Sequence, residues 1–150
     1  MKSSYLHMFL MAGLFAVSCK DSGVETDYSN IVDTYTRWQT YKLKNYSLEQ
    51  SLSCYCVNGG VPMKIVVSEN RVAEVLKLSD GIPLPLDQWS WYKSVDELFE
   101  IANSVNRDSV AYFHIEYDVK YGYPTILYVD PSENTADEEY GYRSQNLSTN

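Results

Sequence analysis

Cys54 and Cys56, separated by Tyr55, are the residues in this 150-residue chain best equipped for chemistry. A thiolate can attack, bind a soft metal or close a disulfide, so the first question is how far apart the two sulfurs sit. In an extended strand, residues i and i+2 lie about 6.5–7 Å apart, at the edge of what a disulfide accepts. A bridge therefore needs a bend, which the following Val57-Asn58-Gly59-Gly60 can supply. A local structural disulfide is the leading reading, and a redox pair or a metal-thiolate site remains open beside it. Thioredoxin-like redox sites use Cys-x-x-Cys at a helix start, where the helix field lowers the thiol pKa. A strand end supplies no such field. A metal site needs more ligands, yet His114 is the single histidine beyond the first eighteen residues. Its parity is opposite to that of Phe113 and Ile115, which places it at the surface. Asp130, Ser132, Asn134 and Glu138 have calcium-loop spacing but lack the glycine at the sixth position. Gly141 also stands where the twelfth-position acid belongs. Glu116 and Asp118 share an exposed face with no nucleophile beside them. The expectation is no catalytic residue, no cofactor, no metal and no enzymatic activity.

The elements around the thiols are legible from periodicity. Over residues 45–57, Tyr46, Leu48, Leu52, Cys54 and Cys56 alternate with Ser47, Glu49, Ser51 and Ser53. That pattern predicts a strand with both thiols on its buried face. A helix is expected before it, over residues 30–42, capped by Ser29 or Asp27, with Ile31, Tyr35, Trp38 and Lys42 recurring at helical spacing and only the first three apolar. Two further strands, 63–68 and 71–78, should meet at a hairpin tip of Glu69-Asn70. Residues 80–92 carry Gly81, Pro83 and Pro85 and are read as irregular. Their Ile82, Leu84, Leu86, Trp89 and Trp91 are expected to lie on the core or line a groove. Ser94-Val95-Asp96-Glu97 is a capping box, opening a helix with a Val95, Leu98, Phe99, Ala102 and Val105 stripe. Strands at 111–117, 126–129 and 140–147 follow, with residues 148–150 fraying. The fold class is α+β: two α-β-β-β halves forming an antiparallel sheet with two helices packed on one face.

Composition narrows the function. The 45% hydrophobic content fits a globular core, and the length fits one domain. A net charge of −8 excludes nucleic acid as a partner, because no cationic excess is available to displace counterions. Tyrosine numbers 14 against 4 Phe and 3 Trp, which suits half-exposed sheet faces and binding surfaces. Tyr121-Gly122-Tyr123-Pro124-Thr125 reads as a turn in which Gly122 supplies positive φ and Pro124 is a candidate cis residue. Trp89, Trp91, Tyr121 and Tyr123 are the candidate binding surface.

The N-terminus carries an address. Lys2 precedes an apolar run over residues 6–17, too short for a permanent span. Ala16-Val17-Ser18-Cys19 resembles the bacterial lipobox, which implies a signal peptide over 1–18 and lipidation of Cys19. Residues 19–28 then act as a flexible tether to a domain over 29–150. Lipid on Cys19 leaves Cys54 and Cys56 as a pair in an oxidising compartment. It attaches the protein to a membrane rather than through one. Lys20 is unlike the aspartate that retains lipoproteins at the inner membrane, so outer membrane is the expected location within the cell envelope.

Taken in order, Trp38, Tyr46, Cys54-Tyr55-Cys56, Val95-Asp96-Glu97-Leu98-Phe99, Tyr117-Asp118, Tyr121-Gly122-Tyr123-Pro124-Thr125, Asp130 and Asp137-Glu138-Glu139 resemble the bacterial lipoprotein domain of unknown function 6174. The resemblance runs from about residue 31 to 147, with Glu69-Asn70 in place of an expected Asp-Gly tip. It implies a secreted, lipid-anchored domain and no established activity. The functional expectation is a non-catalytic envelope lipoprotein that binds a protein, peptide or small molecule on a Tyr-rich surface. The alternative is a thiol-disulfide redox or metal-handling protein using the Cys-x-Cys pair.

Overall fold

A computed structural model describes residues 25–149. The expected signal peptide, Cys19 and the first part of the expected tether lie outside the described residues. Helix α1 runs Glu25–Thr40, so it begins inside the segment expected to be tether. Ile31, Thr34 and Trp38 form its buried stripe. Thr34 was not expected there, because a hydroxyl is costly to bury without partners. It is accommodated by donating to the Asn30 and Ile31 carbonyls within the helix. Tyr35 stays partly exposed and meets Phe99 edge-on at 4.9 Å. Lys42 is not part of the stripe: it is exposed, at φ 50°, just past the helix end.

Strands β1 (Tyr46–Ser53), β2 (Met63–Ser68) and β3 (Arg71–Lys77) follow. Glu69 and Asn70 both have positive φ, the signature of a type I′ hairpin turn. Asn45 braces that tip, accepting from the Glu69 amide at 3.1 Å. Residues 80–92 are less irregular than expected. Leu76 and Pro83 form a bridge, and Leu86–Trp91 forms a 3-10 helix. Helix α2 (Val95–Ser104) opens on the capping box, with both reciprocal bonds present. Strands β4 (Tyr112–Tyr117), β5 (Pro124–Asp130) and β6 (Tyr140–Thr149) complete the chain. Ser148 and Thr149 pair with Ser47 and Tyr46 rather than fraying.

The result is an α+β fold on one six-stranded antiparallel sheet, ordered β3-β2-β1-β6-β5-β4. Its middle is the pairing of β1 with β6, where Leu52 faces Tyr142 and Ser53 faces Gly141. Alternate residues of the strands, including Tyr46, Leu48, Ile65, Val75 and Leu127, share one core with Trp38, Leu98 and Phe99 of the helices. The Tyr123–Pro124 bond is trans, because the described chain contains no cis peptide. Gly122 does have positive φ, and a side chain there would lie 2.7 Å from the Thr34 carbonyl oxygen. The β4–β5 turn can therefore press against α1 only with glycine at this position.

One inward position on β1 is polar. Gln50 is 1% exposed, and its amide pairs with the backbone of Lys93. Its Nε2 donates to the Lys93 carbonyl at 3.1 Å, and its Oε1 accepts from the Lys93 amide at 2.9 Å. Nε2 also reaches Ser144 Oγ at 3.2 Å. Four residues along, the Tyr46 hydroxyl accepts from the Val95 amide at 2.9 Å. Trp38 of α1 adds an indole bond to Asp96 Oδ1 at 2.9 Å. The start of α2 is thereby fixed from β1 and α1 together. Gln50→Leu orphans both backbone groups of Lys93, and each orphan costs about 1–3 kcal/mol. Urea unfolding should therefore show a loss of about 2–4 kcal/mol. A loss under about 0.5 kcal/mol would contradict the clamp.

Candidate functional site: the Cys-x-Cys bend and the Trp91 cleft

Strand β1 stops at Ser53, and Cys54 to Cys56 form a bend. The thiols therefore do not lie on the buried face of an extended strand. Both are half-buried beyond its end, and Tyr55 between them is 83% exposed. The bend brings the Cα atoms of Cys54 and Cys56 to 5.3 Å and their sulfurs into bonding contact. Contraction from the extended spacing occurs at the cysteines themselves, while the residues after them secure it. The Gly60 amide donates to Leu52 at 2.7 Å and the Gly59 amide to Cys56 at 3.0 Å. A Cβ on Gly59 would sit 2.6 Å from the Cys54 carbonyl oxygen, so the chain crosses the bend at a distance only glycine permits. Asn58, at φ 64°, donates from its side chain to Gln88 Oε1 at 3.0 Å. That bond ties the bend to the 3-10 helix, and so to Trp91.

Trp91 is 40% exposed and, with Cys54 and Cys56, lines two depressions. One is an open groove of about 710 Å³ that also takes in Tyr55, Val57 and Gly59. The other is a cleft of about 180 Å³ toward Leu52, Tyr140, Gly141 and Tyr142. No Asp, Glu, Lys, Arg or His lines either one. The surface is thus aromatic, sulfur-bearing and uncharged. Burial first, then the charges of Tyr140 and Glu97, push the Tyr142 hydroxyl up to about 12. That leaves it neutral, a hydrogen-bonding group rather than a base.

The four aromatic residues expected to form one surface do not. Trp89 is half-buried and donates its indole N–H to the Leu84 carbonyl at 2.9 Å, anchoring the loop. Tyr123 is 4% exposed and is held by a backbone bond with Leu147, and burial raises its hydroxyl pKa. Tyr121 packs on Tyr41 at 4.8 Å, with the Lys120 ammonium 4.5 Å above its ring. Leu147 and Tyr142 are five residues apart on β6, about 17 Å along the strand, so the Tyr121–Tyr123 turn and Trp91 lie at opposite ends of the sheet. Sequence reasoning missed Tyr55, Tyr140 and Tyr142. The available signal was Tyr55 itself, a large aromatic held at the apex of the cysteine pair.

The other candidates are local. His114 pairs with Glu116 at 3.0 Å on the open sheet face. Asp130 accepts from the Ser132 amide at 3.1 Å, an ordinary turn contact. Among the described residues, no group of three or more His, Cys, Asp or Glu is placed to hold a metal ion.

A family model for a family of unknown function, DUF6174, matches residues 30–149. The chain belongs to that family. The match includes the bend, the 3-10 helix and β6, hence every wall of the Trp91 cleft. No curated protein matches the chain, and no solved structure does.

Two outcomes test this geometry. Gly59→Ala forces its neighbours apart at the bend and should cost about 1–3 kcal/mol, as overpacking does elsewhere. Unchanged unfolding would show that the crossing is looser than described. Burial also raises the Tyr46 hydroxyl, an effect reinforced by Asp96 and Glu97 and partly opposed by the Val95 amide bond. Tyr46 and Tyr142 are both raised in the folded state. Their contribution to stability is therefore complete below about pH 10 and is lost as pH climbs through the folded values. Denaturant midpoints should fall between pH 9 and 11.5, and a flat profile would contradict the burial of these hydroxyls.

Proposed function

We propose that this chain is a lipid-anchored cell-envelope protein whose domain binds a protein or peptide partner, without catalysis, at the Trp91 cleft. The observation carrying this reading is the uncharged aromatic depression around the cysteine bend. It is extended by exposed Tyr55 and Val57, at 83% and 62%. Large apolar residues clustered at one end of a domain suit association, where buried aromatics supply much of the binding energy. The anchor rests on Cys19 within its lipobox-like segment. No helix among the described residues is long and apolar enough to cross a membrane, which is compatible with attachment through lipid at the outer membrane. We also read the chain as two α-β-β-β halves joined through β1 and β6, a reading supported by the order of strands in the sheet.

A second reading is supported by the sulfur contact of Cys54 and Cys56 at the rim of the open groove. There a dithiol partner would transfer two electrons to the bridge, releasing two thiols and itself becoming a disulfide. A potential within the glutathione range would favour that exchange, and one far below it would contradict it.

The binding reading is tested in cells with a photo-reactive phenylalanine analogue at position 55 and, as control, at position 145 on the open sheet face. A discrete adduct is expected from 55 and not from 145, and Trp91→Ala should abolish it. Equal adducts from both positions, or one that survives Trp91→Ala, would contradict the site. Cys19→Ser should move the protein out of the membrane fraction. Its retention there would contradict the lipid anchor.

A further inference from the structure

The sheet has two edges, and the chain finishes them differently. On β3, the basic residues Arg71 and Lys77 mark the ends, and the segment after the strand covers the outer side. The Lys77 amide donates to the Ile82 carbonyl at 2.9 Å and the Leu84 amide to Val75 at 2.8 Å. At the opposite edge, β4 has β5 as its single neighbour among the described strands. Its sequence, Tyr112-Phe113-His114-Ile115-Glu116-Tyr117, contains no lysine and no proline. Aromatic residues and Ile115 dominate it, and Glu116 is its one acidic side chain. The irregularity in its pairing with β5 is confined to its end, between Glu116 and Tyr117. Neither the lysine nor the proline that commonly blocks an edge is present.

We propose that β4 is a self-association edge, pairing antiparallel with β4 of a second copy about a two-fold axis at Ile115. Side-chain alternation limits the possible registers. Phe113 and Ile115 pack against the core while Tyr112, His114 and Glu116 face the open side of the sheet. A two-fold axis normal to the sheet keeps those faces matched only when it passes through a residue position. Centring on His114 sets the imidazole against its own copy and Tyr112 against Glu116. Centring on Ile115 sets His114 of each copy against Glu116 of the other, and Phe113 against Tyr117. The second register makes two cross-strand His–Glu pairs and two aromatic pairs, each of a kind that stabilises adjacent strands. Within one copy, His114 and Glu116 already meet at 3.0 Å, so the paired edges join two such contacts into one cluster of imidazole and carboxylate groups. This alternation of imidazole and carboxylate is complementary to its own antiparallel copy, which fits a second copy of this chain.

The test uses the full-length chain in its own membrane. Ile115→Cys treated with a short bis-maleimide should give a dimer on denaturing gels. Tyr112→Cys should not, because residues 112 of the two copies lie about 20 Å apart in this register. The parent chain should give none. Adding Glu116→Lys sets lysine against histidine and should lower crosslinking through position 115 about fivefold, the effect of losing two exposed cross-strand pairs. Adding His114→Glu to that variant restores the pairing with its sense reversed and should recover the dimer. The proposal is overturned by absence of dimer through position 115 or by equal dimer through position 112. It is also overturned by crosslinking indifferent to Glu116→Lys, or by an adduct to a different protein in place of the dimer.

Discussion

The structure depends on a side chain imitating a strand. Gln50 turns its amide from the centre of β1 to the Lys93 backbone and makes the two bonds a neighbouring strand would make. It does so while almost fully buried, where an unmatched amide is costly and a matched one is highly directional. This contact fixes Lys93 over the sheet. Tyr46 then receives the Val95 amide, and Ser94 and Glu97 close the capping box. Three otherwise unpaired donors at the start of α2, the amides of Ser94, Val95 and Glu97, thus find side-chain acceptors, two inside the capping box and one 49 residues away on β1. The 3-10 helix ends two residues before Lys93, so fixing Lys93 also sets where Trp91 stands relative to the cysteine bend.

The pairing of β1 with β6 has a similar role at longer range. It joins strands from opposite ends of the described chain and brings Tyr140 and Tyr142 beside Leu52. The cleft is therefore assembled from the end of β1, the 3-10 helix and the start of β6. No one segment contains it. Gly59 and Gly141 let these parts approach. A side chain on Gly141 would lie 2.8 Å from the Leu127 carbonyl oxygen, as one on Gly59 would crowd Cys54.

What could be seen in the sequence was local. The Ser94 capping box, the alternation of β1 and the left-handed turn at Glu69-Asn70 each express themselves within a few residues. Periodicity identifies such features without knowledge of the partner. Gln50 broke the apolar alternation and its role was not legible, because its partner is backbone 43 residues away. Tyr123 is expected in a binding surface for its chemistry, yet a polar tip satisfied by backbone lets an aromatic ring be buried. The parity of the cysteine pair matches the strand, yet the chain bends at the cysteines themselves. The bonds of Gly59 and Gly60 that secure this bend are ones that alternation does not register. The α+β class survived these misplacements, since it rests on element type and order rather than on where single side chains point.

The claim that most of this rests on is that buried side chains of β1 hold the backbone before α2. Amide hydrogen exchange of Lys93 and Val95 measures it directly. Amides just before a helix and in its first turn ordinarily exchange readily, because they lack intrahelical acceptors. Held by Gln50 and Tyr46, these two should exchange only on global unfolding, at the rate of the slowest β1 amides. Exchange as fast as at exposed Ser90 would show that the clamp is open in solution, and the position of the cleft would then need another explanation.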